Sequence, residues 1–146
     1  MKFKLNVTKG VIKIKRRNLN LSKYDISAAR YNELYWFCMG YNERKQKIAD
    51  LRLSLSAVHI TGLPYGNDVS KPTENRAVKI VELEQMNEKI EQAAEQTDKV
   101  LSSWILVAVT NDYKYTYMRT VKNIPCNEKE FLKLRRVFYY HLDKLR

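Results

Sequence analysis

Residues 123–125, Asn-Ile-Pro, split the last third of the chain into two helical runs, and that break limits the folds open to it. Proline has no amide proton, clashes with the turn before it, and holds Ile124 away from helical geometry. Before the break, residues 115–122 form a short run with Met118 and Val121 on one side. After it, Phe131, Leu134, Phe138, Leu142 and Leu145 fall on one helical stripe. A short helix, a tight turn and a basic second helix make the pattern of a helix-turn-helix, whose second helix enters the DNA major groove. An αα-hairpin closing a helical domain has the same periodicity, so the pattern alone leaves both readings open.

The charge distribution favours the first. The 146-residue chain carries a formal charge of +11, which suits a polyanionic partner, either nucleic acid or an anionic membrane surface. Residues 1–24 hold eight bases and no acid, and residues 25–75 balance at six of each. Residues 76–98 hold three bases against six acids, and residues 99–146 hold ten against four. Two basic ends therefore flank a neutral and then acidic middle. Solvated charge runs are common, but solubility alone does not require this segregation.

The same pass along the chain predicts a mainly α fold: a helical bundle over residues 25–146, with 111–146 as the helix-turn-helix and 1–24 as a basic arm or small β-hairpin. Phe3, Leu5 and Val7 alternate with polar residues, and Val11, Ile12 and Ile14 follow Gly10. A first helix starts near Ala28, capped by Asp25 or Ser27, and ends at Gly40. Tyr31, Leu34, Tyr35, Cys38 and Met39 give its buried stripe, which Trp36 and Phe37 widen. Asn42 caps a second helix reaching about Leu55, with Ile48, Leu51 and Leu55 inward and Arg44, Lys45 and Lys47 outward. Residues 56–75 read as a loop punctuated by Gly and Pro. Thr73 caps a long acidic helix, 74–97, whose narrow stripe is Ile80, Leu83, Met86, Ile90, Ala93 and Thr97. That stripe fits packing in a bundle or a dimer seam. A short apolar helix, 100–110, with Leu101, Trp104, Ile105 and Ala108 inward, supports the final motif.

Other chemistry finds little footing. Cys38 and Cys126, and likewise His59 and His141, stand far apart, whereas a structural zinc site needs about four ligands in close pairs. Free thiols in a reducing compartment are expected, with no metal and no cofactor. No Gly-rich phosphate loop or nucleophile motif is present, so no enzyme is expected. The acids between Glu82 and Glu95 repeat at helical spacing, as a solvated face does. No signal peptide follows the first lysines, and the run 104–109 is too short to span a bilayer. A soluble cytoplasmic protein without membrane contact is expected.

Three stretches carry a resemblance. Residues 31–38, Tyr-Asn-Glu-Leu-Tyr-Trp-Phe-Cys, with 41–45, Tyr-Asn-Glu-Arg-Lys, resemble the amino-terminal block of small proteins from phages and prophages of Gram-positive bacteria. Residues 71–73, Lys-Pro-Thr, leading into 81–84, Val-Glu-Leu-Glu, are similar to their central block. The ending is the most similar: residues 117–121, 124–126 and 135–144. The chain from about residue 26 onward thus resembles RinA-like and ArpU-like late transcriptional regulators, whose carboxyl end is similar to the helix-turn-helix of sigma-factor region 4. The resemblance implies a regulator in the cytoplasm of a bacterial host cell. The partner it implies is double-stranded DNA; host RNA polymerase, and a second copy of the chain through the stripe of helix 74–97, are further expected partners. Asn127 stands where those proteins carry glycine, and asparagine tolerates left-handed geometry well enough for the turn to survive. Residues 1–24 lie outside the resemblance.

If the motif docks as a helix-turn-helix, Asn127, Glu128, Lys129, Lys133 and Arg136 face base edges. Arg can pair with guanine, Asn with adenine, and Glu can accept from cytosine. Arg119, Lys122 and Arg135 are placed for phosphate, which positions without specifying. Arg16 and Arg17 of the arm add phosphate or minor-groove contacts. The rivals are a DNA-packaging component such as a small terminase subunit, a sigma-like protein bound chiefly to RNA polymerase, and a protein-binding adaptor using the acidic helix 74–97.

Overall fold

The computed structural model describes residues 7–8, 11–12, 19–60 and 70–146. The fold is mainly α. Two short strands, β1 (Val7–Thr8) and β2 (Val11–Ile12), pair antiparallel, with Val7 opposite Ile12 and Thr8 opposite Val11. A 3-10 turn, Ser22–Tyr24, leads into six helices. They are α1 (Ala28–Met39), α2 (Tyr41–Ile60), α3 (Ser70–Thr97), α4 (Ser102–Asn111), α5 (Tyr115–Thr120) and α6 (Glu128–Leu145).

Helix α1 starts where expected, and Ser27 is the cap: its hydroxyl accepts from the Arg30 amide at 3.2 Å. Asp25 instead takes a left-handed conformation, φ 58°, that closes the 3-10 turn. Gly40 alone separates α1 from α2, and its φ of −76° is not the left-handed stop that a terminal glycine usually supplies. Its role is steric, since a Cβ there would lie 2.6 Å from Nη1 of Arg44. Asn42 consequently sits inside α2 rather than capping it, and α2 runs on to Ile60, past the expected end at Leu55. Thr73 likewise lies inside α3, which begins at Ser70 and spans 28 residues, about 42 Å at 1.5 Å per residue. Pro72 is accommodated in its first turn, where no intrahelical donor is needed.

Three side chains depart from the expected faces. Arg44, expected outward, is only 9% exposed. Its guanidinium donates to Oδ1 of Asn87 at 2.6 Å and to the Phe37 carbonyl at 2.6 Å, and it stacks 4.7 Å above the Phe37 ring. Asn87 in turn donates to the Tyr41 carbonyl at 3.2 Å. This buried polar seam ties α1, α2 and α3 together. Asn87 also explains the second departure. The buried positions of α3 are Ile80, Leu83, Asn87, Ile90, Ala93 and Ala94, so Asn87 takes the inward place and Met86 is 36% exposed. The third is Trp36, at 61% exposure, which lies off the stripe followed by Tyr31, Leu34, Tyr35 and Cys38.

The main core gathers Leu34 and Cys38 of α1, Ile90 and Ala93 of α3, Ile105 and Val109 of α4, and Phe138, Tyr139 and Leu142 of α6. Leu21 is buried in it and Leu19 packs against it, so the packed chain begins before residue 25. Burial pushes the Cys38 thiol up to about 12, which makes it an apolar filler rather than a nucleophile. The far ends of α2 and α3 share a smaller cluster of Ile48, Ile80 and Leu83. Arg30 joins α1 to the end of α6 through Asp143 at 2.6 Å, and this hydrogen bond raises the Arg30 pKa.

Candidate nucleic-acid interface

Helix α5, the turn over residues 121–127 and α6 form a helix-turn-helix with its own small core of Ala108, Met118, Ile124 and Phe131. Val121, expected beside Met118, is 53% exposed, and Ile124 is the residue that turns inward. Asn123 allows this by adopting φ 53°, after which the Ile124 amide donates to the Met118 carbonyl at 3.0 Å. Alternate carbonyls of the turn are then held by side chains. Trp104 Nε1 donates to the Lys122 carbonyl at 2.9 Å, Arg119 to that of Ile124 at 3.4 Å, and the Tyr115 hydroxyl to that of Cys126 at 2.9 Å. The left-handed residue of the turn is therefore Asn123, whereas Asn127 has φ −86°.

Asn127 instead caps α6. Its Oδ1 accepts from the Glu130 amide at 2.9 Å, and its own amide donates to Glu130 Oε2 at 3.0 Å. This capping box commits two of the polar groups at the start of the helix. Asn127 is therefore a fixed element of the turn, with its side-chain oxygen engaged by the Glu130 amide. Glu128 and Lys129 remain exposed at the helix start.

Lys133 is exposed one turn later, and Arg136 is half-buried beside it. Lys129, Lys133 and Arg136 share one face at spacings of four and three residues, and among the described residues none of them has an ion pair. Lys133 and Arg136 meet Asn20, Ser22, Lys23 and Tyr24 across a groove of about 280 Å³. Lys23 is the residue that sequence reasoning misses here. It was counted with the arm on charge, although the apolar Leu21 and Ile26 that flank it mark an anchored turn.

Arg135 is not placed for phosphate. Its side chain is 12% exposed, its Nη2 lies 3.4 Å from Oδ1 of Asp112, and its guanidinium lies 5.8 Å from the Phe131 ring. The cause is helical geometry: Arg135 follows Phe131 by four residues and so shares its inward face. Arg119 is exposed while bridging the turn, and Lys122 is exposed with its amine unpaired among the described residues. Arg16 and Arg17 lie outside the described residues.

Other candidate sites have less to offer. The groove between α2 and α3, about 450 Å³, is lined by Glu84, Glu88 and Glu91 opposite Lys45 and Arg52, and Arg52 pairs with Glu84. Among the described residues no group of three or more His, Cys, Asp or Glu could hold a metal ion. None of the described helices is long and apolar enough to cross a membrane. Comparison of the chain with protein-family models, with curated proteins and with solved structures gave no significant match.

Proposed function

We propose that this protein is a sequence-specific DNA-binding regulator of phage or prophage transcription, acting through the α5–α6 helix-turn-helix. The observation that carries the reading is the face of Lys129, Lys133 and Arg136 on α6, cationic and without ion pairs among the described residues. It stands on a helix whose opposite face is pinned by Phe131, Phe138 and Leu142. The excess of base at both ends of the chain supports it, because phosphate neutralisation supplies most non-specific affinity. Glu128 and Lys129, at the exposed start of α6, are the base readers in this reading. RNA polymerase is a further proposed partner, tested by co-purification with the core enzyme.

The test begins with selection of duplexes by the full chain from a random library. A recurrent sequence is expected, and joint Glu128→Ala and Lys129→Ala substitution should relax the preference at one or two of its positions. An unselected pool, or an unchanged preference in the double variant, would refute the assignment. A second reading, a DNA-packaging subunit that assembles through α2 and α3, draws on Leu53, Val78 and Val81, all more than half exposed at the far end of that hairpin. A ring of many copies by light scattering would favour it, and a monomer or dimer would favour the regulator.

A further inference from the structure

We propose that the groove between the 3-10 turn and the middle of α6 is a phosphate site, built by Lys23, Lys133 and Arg136, that holds a backbone phosphate of duplex DNA. The proposal rests on the DNA-binding reading above and changes the work of two residues within it. Lys133 and Arg136 become positioning contacts, and base readout is confined to the first turn of α6.

Three observations carry it. The first is charge. The groove is lined by three cations and no acid, and none of the three has an ion pair among the described residues. Cations held together repel one another, and an anion seated between them converts that repulsion into attraction. Asn20, Ser22 and Tyr24 complete the wall without charge.

The second is rigidity. Leu21 and Ile26 are buried on either side of the turn, and the Tyr24 ring packs 5.6 Å from that of Tyr140 on α6. The Tyr24 amide donates to the Leu21 carbonyl at 2.9 Å, and the Ser22 hydroxyl donates to Oδ1 of Asn20 at 2.8 Å. On the other wall, Phe138 and Tyr139 lock the middle of α6 into the main core. The backbones that carry the cations are therefore fixed before any ligand arrives, which limits the ordering cost of binding.

The third is register. Arg136 follows Lys129 by seven residues, about 10 Å along the helix axis. The major groove is about 12 Å wide. A helix that reads base edges with its first turn thus brings Lys133 and Arg136 to the bordering phosphates.

The experiment uses the full chain, a selected duplex and an unrelated one, with affinity measured across a salt series. Lys23 is exposed and has no ion pair among the described residues, so Lys23→Gln should leave the thermal melt unchanged. The expected result is an equal loss of affinity on both duplexes, a slope of log K against log salt lowered by about 0.9, and rescue by Lys23→Arg. Lys133→Gln should do the same. In a parallel titration with inorganic phosphate, the Ser22 and Lys23 amide resonances should shift in the unmodified chain and not in Lys23→Gln. An unchanged salt slope overturns the proposal, and does so even if inorganic phosphate binds, since the site would then serve a free anion. Loss of affinity on the selected duplex alone also overturns it, because that is the signature of base reading. Failure of the unmodified chain to bind any duplex at low salt would remove the DNA-binding reading as well, whereas an unchanged slope removes only this one.

Discussion

Arg44 shows how much a single residue can decide in a helical bundle. A buried guanidinium is tolerated only where its donors are satisfied, and here Asn87 and the Phe37 carbonyl accept from it. Burial lowers its pKa, a shift in the direction that desolvation imposes on any cation. The absence of a side chain at Gly40 is what leaves room for its head group. Arg44→Ala removes the donor and leaves Asn87 Oδ1 and a backbone carbonyl buried without a partner. Unsatisfied buried groups of this kind cost about 1–3 kcal/mol each, so a loss of about 2–6 kcal/mol is expected from the urea midpoint. A loss below about 1 kcal/mol would show that water replaces the guanidinium and that the seam contributes little. Duplex affinity under conditions where the variant is fully folded should be unchanged, because Arg44 lies on the α2–α3 side of the molecule.

At the scale of elements, the capping box at Asn127 couples stability to the proposed interface. Asn127→Ala leaves the Glu130 amide at the start of α6 without its partner and should cost about 1 kcal/mol, whereas Asn127→Gly should cost only a few tenths. Thermal melts of the two variants test this, and an unchanged melt for Asn127→Ala would mean that the cap makes no net contribution. Helix existence and order were legible because Leu34, Cys38, Ile90, Phe138 and Leu142 recur at helical spacing. Boundaries were less so. The sequence around Asn42 and Thr73 offers good cap residues, but tertiary packing carries α2 and α3 through them. The misplaced side chains share one cause. Trp36 and Met86 were judged by their apolarity and Arg44 by its charge, whereas burial follows angular position on the helix and whether a partner stands opposite. Arg135 and Arg136 make the same point within the interface: adjacent and chemically identical, they are separated by one helical step into a part-buried pair with Asp112 and a lining of the open groove. Lys23 escaped notice because its neighbours in space, Lys133 and Arg136, lie more than a hundred residues away in sequence.

For the whole molecule, the segregation of charge is the property with the widest reach. Seven of the eight bases in residues 1–24 precede Leu19, the first of the described residues that packs against the core. Removing residues 1–18 therefore takes away a large cationic segment while keeping Leu19, Leu21 and Lys23 in place. The melting temperature should change little, since the core found among the described residues is kept whole. If the segment lies along DNA, each phosphate contact it makes adds about 0.9 to the salt slope, so the truncated chain should lose several units of slope against about 0.9 for Lys23→Gln. Affinity should fall alike on selected and unrelated duplexes, because contacts to phosphate carry no sequence information. A slope equal to that of the full chain would detach these residues from DNA and leave their charge to another polyanion. Vesicles of anionic lipid address that alternative: binding by the full chain and none by the truncated one, with duplex binding intact in both, would assign the segment to a membrane surface. Comparing the two chains on both ligands thus separates a basic segment that strengthens DNA binding from one that serves a different partner, while α6 is the same in each.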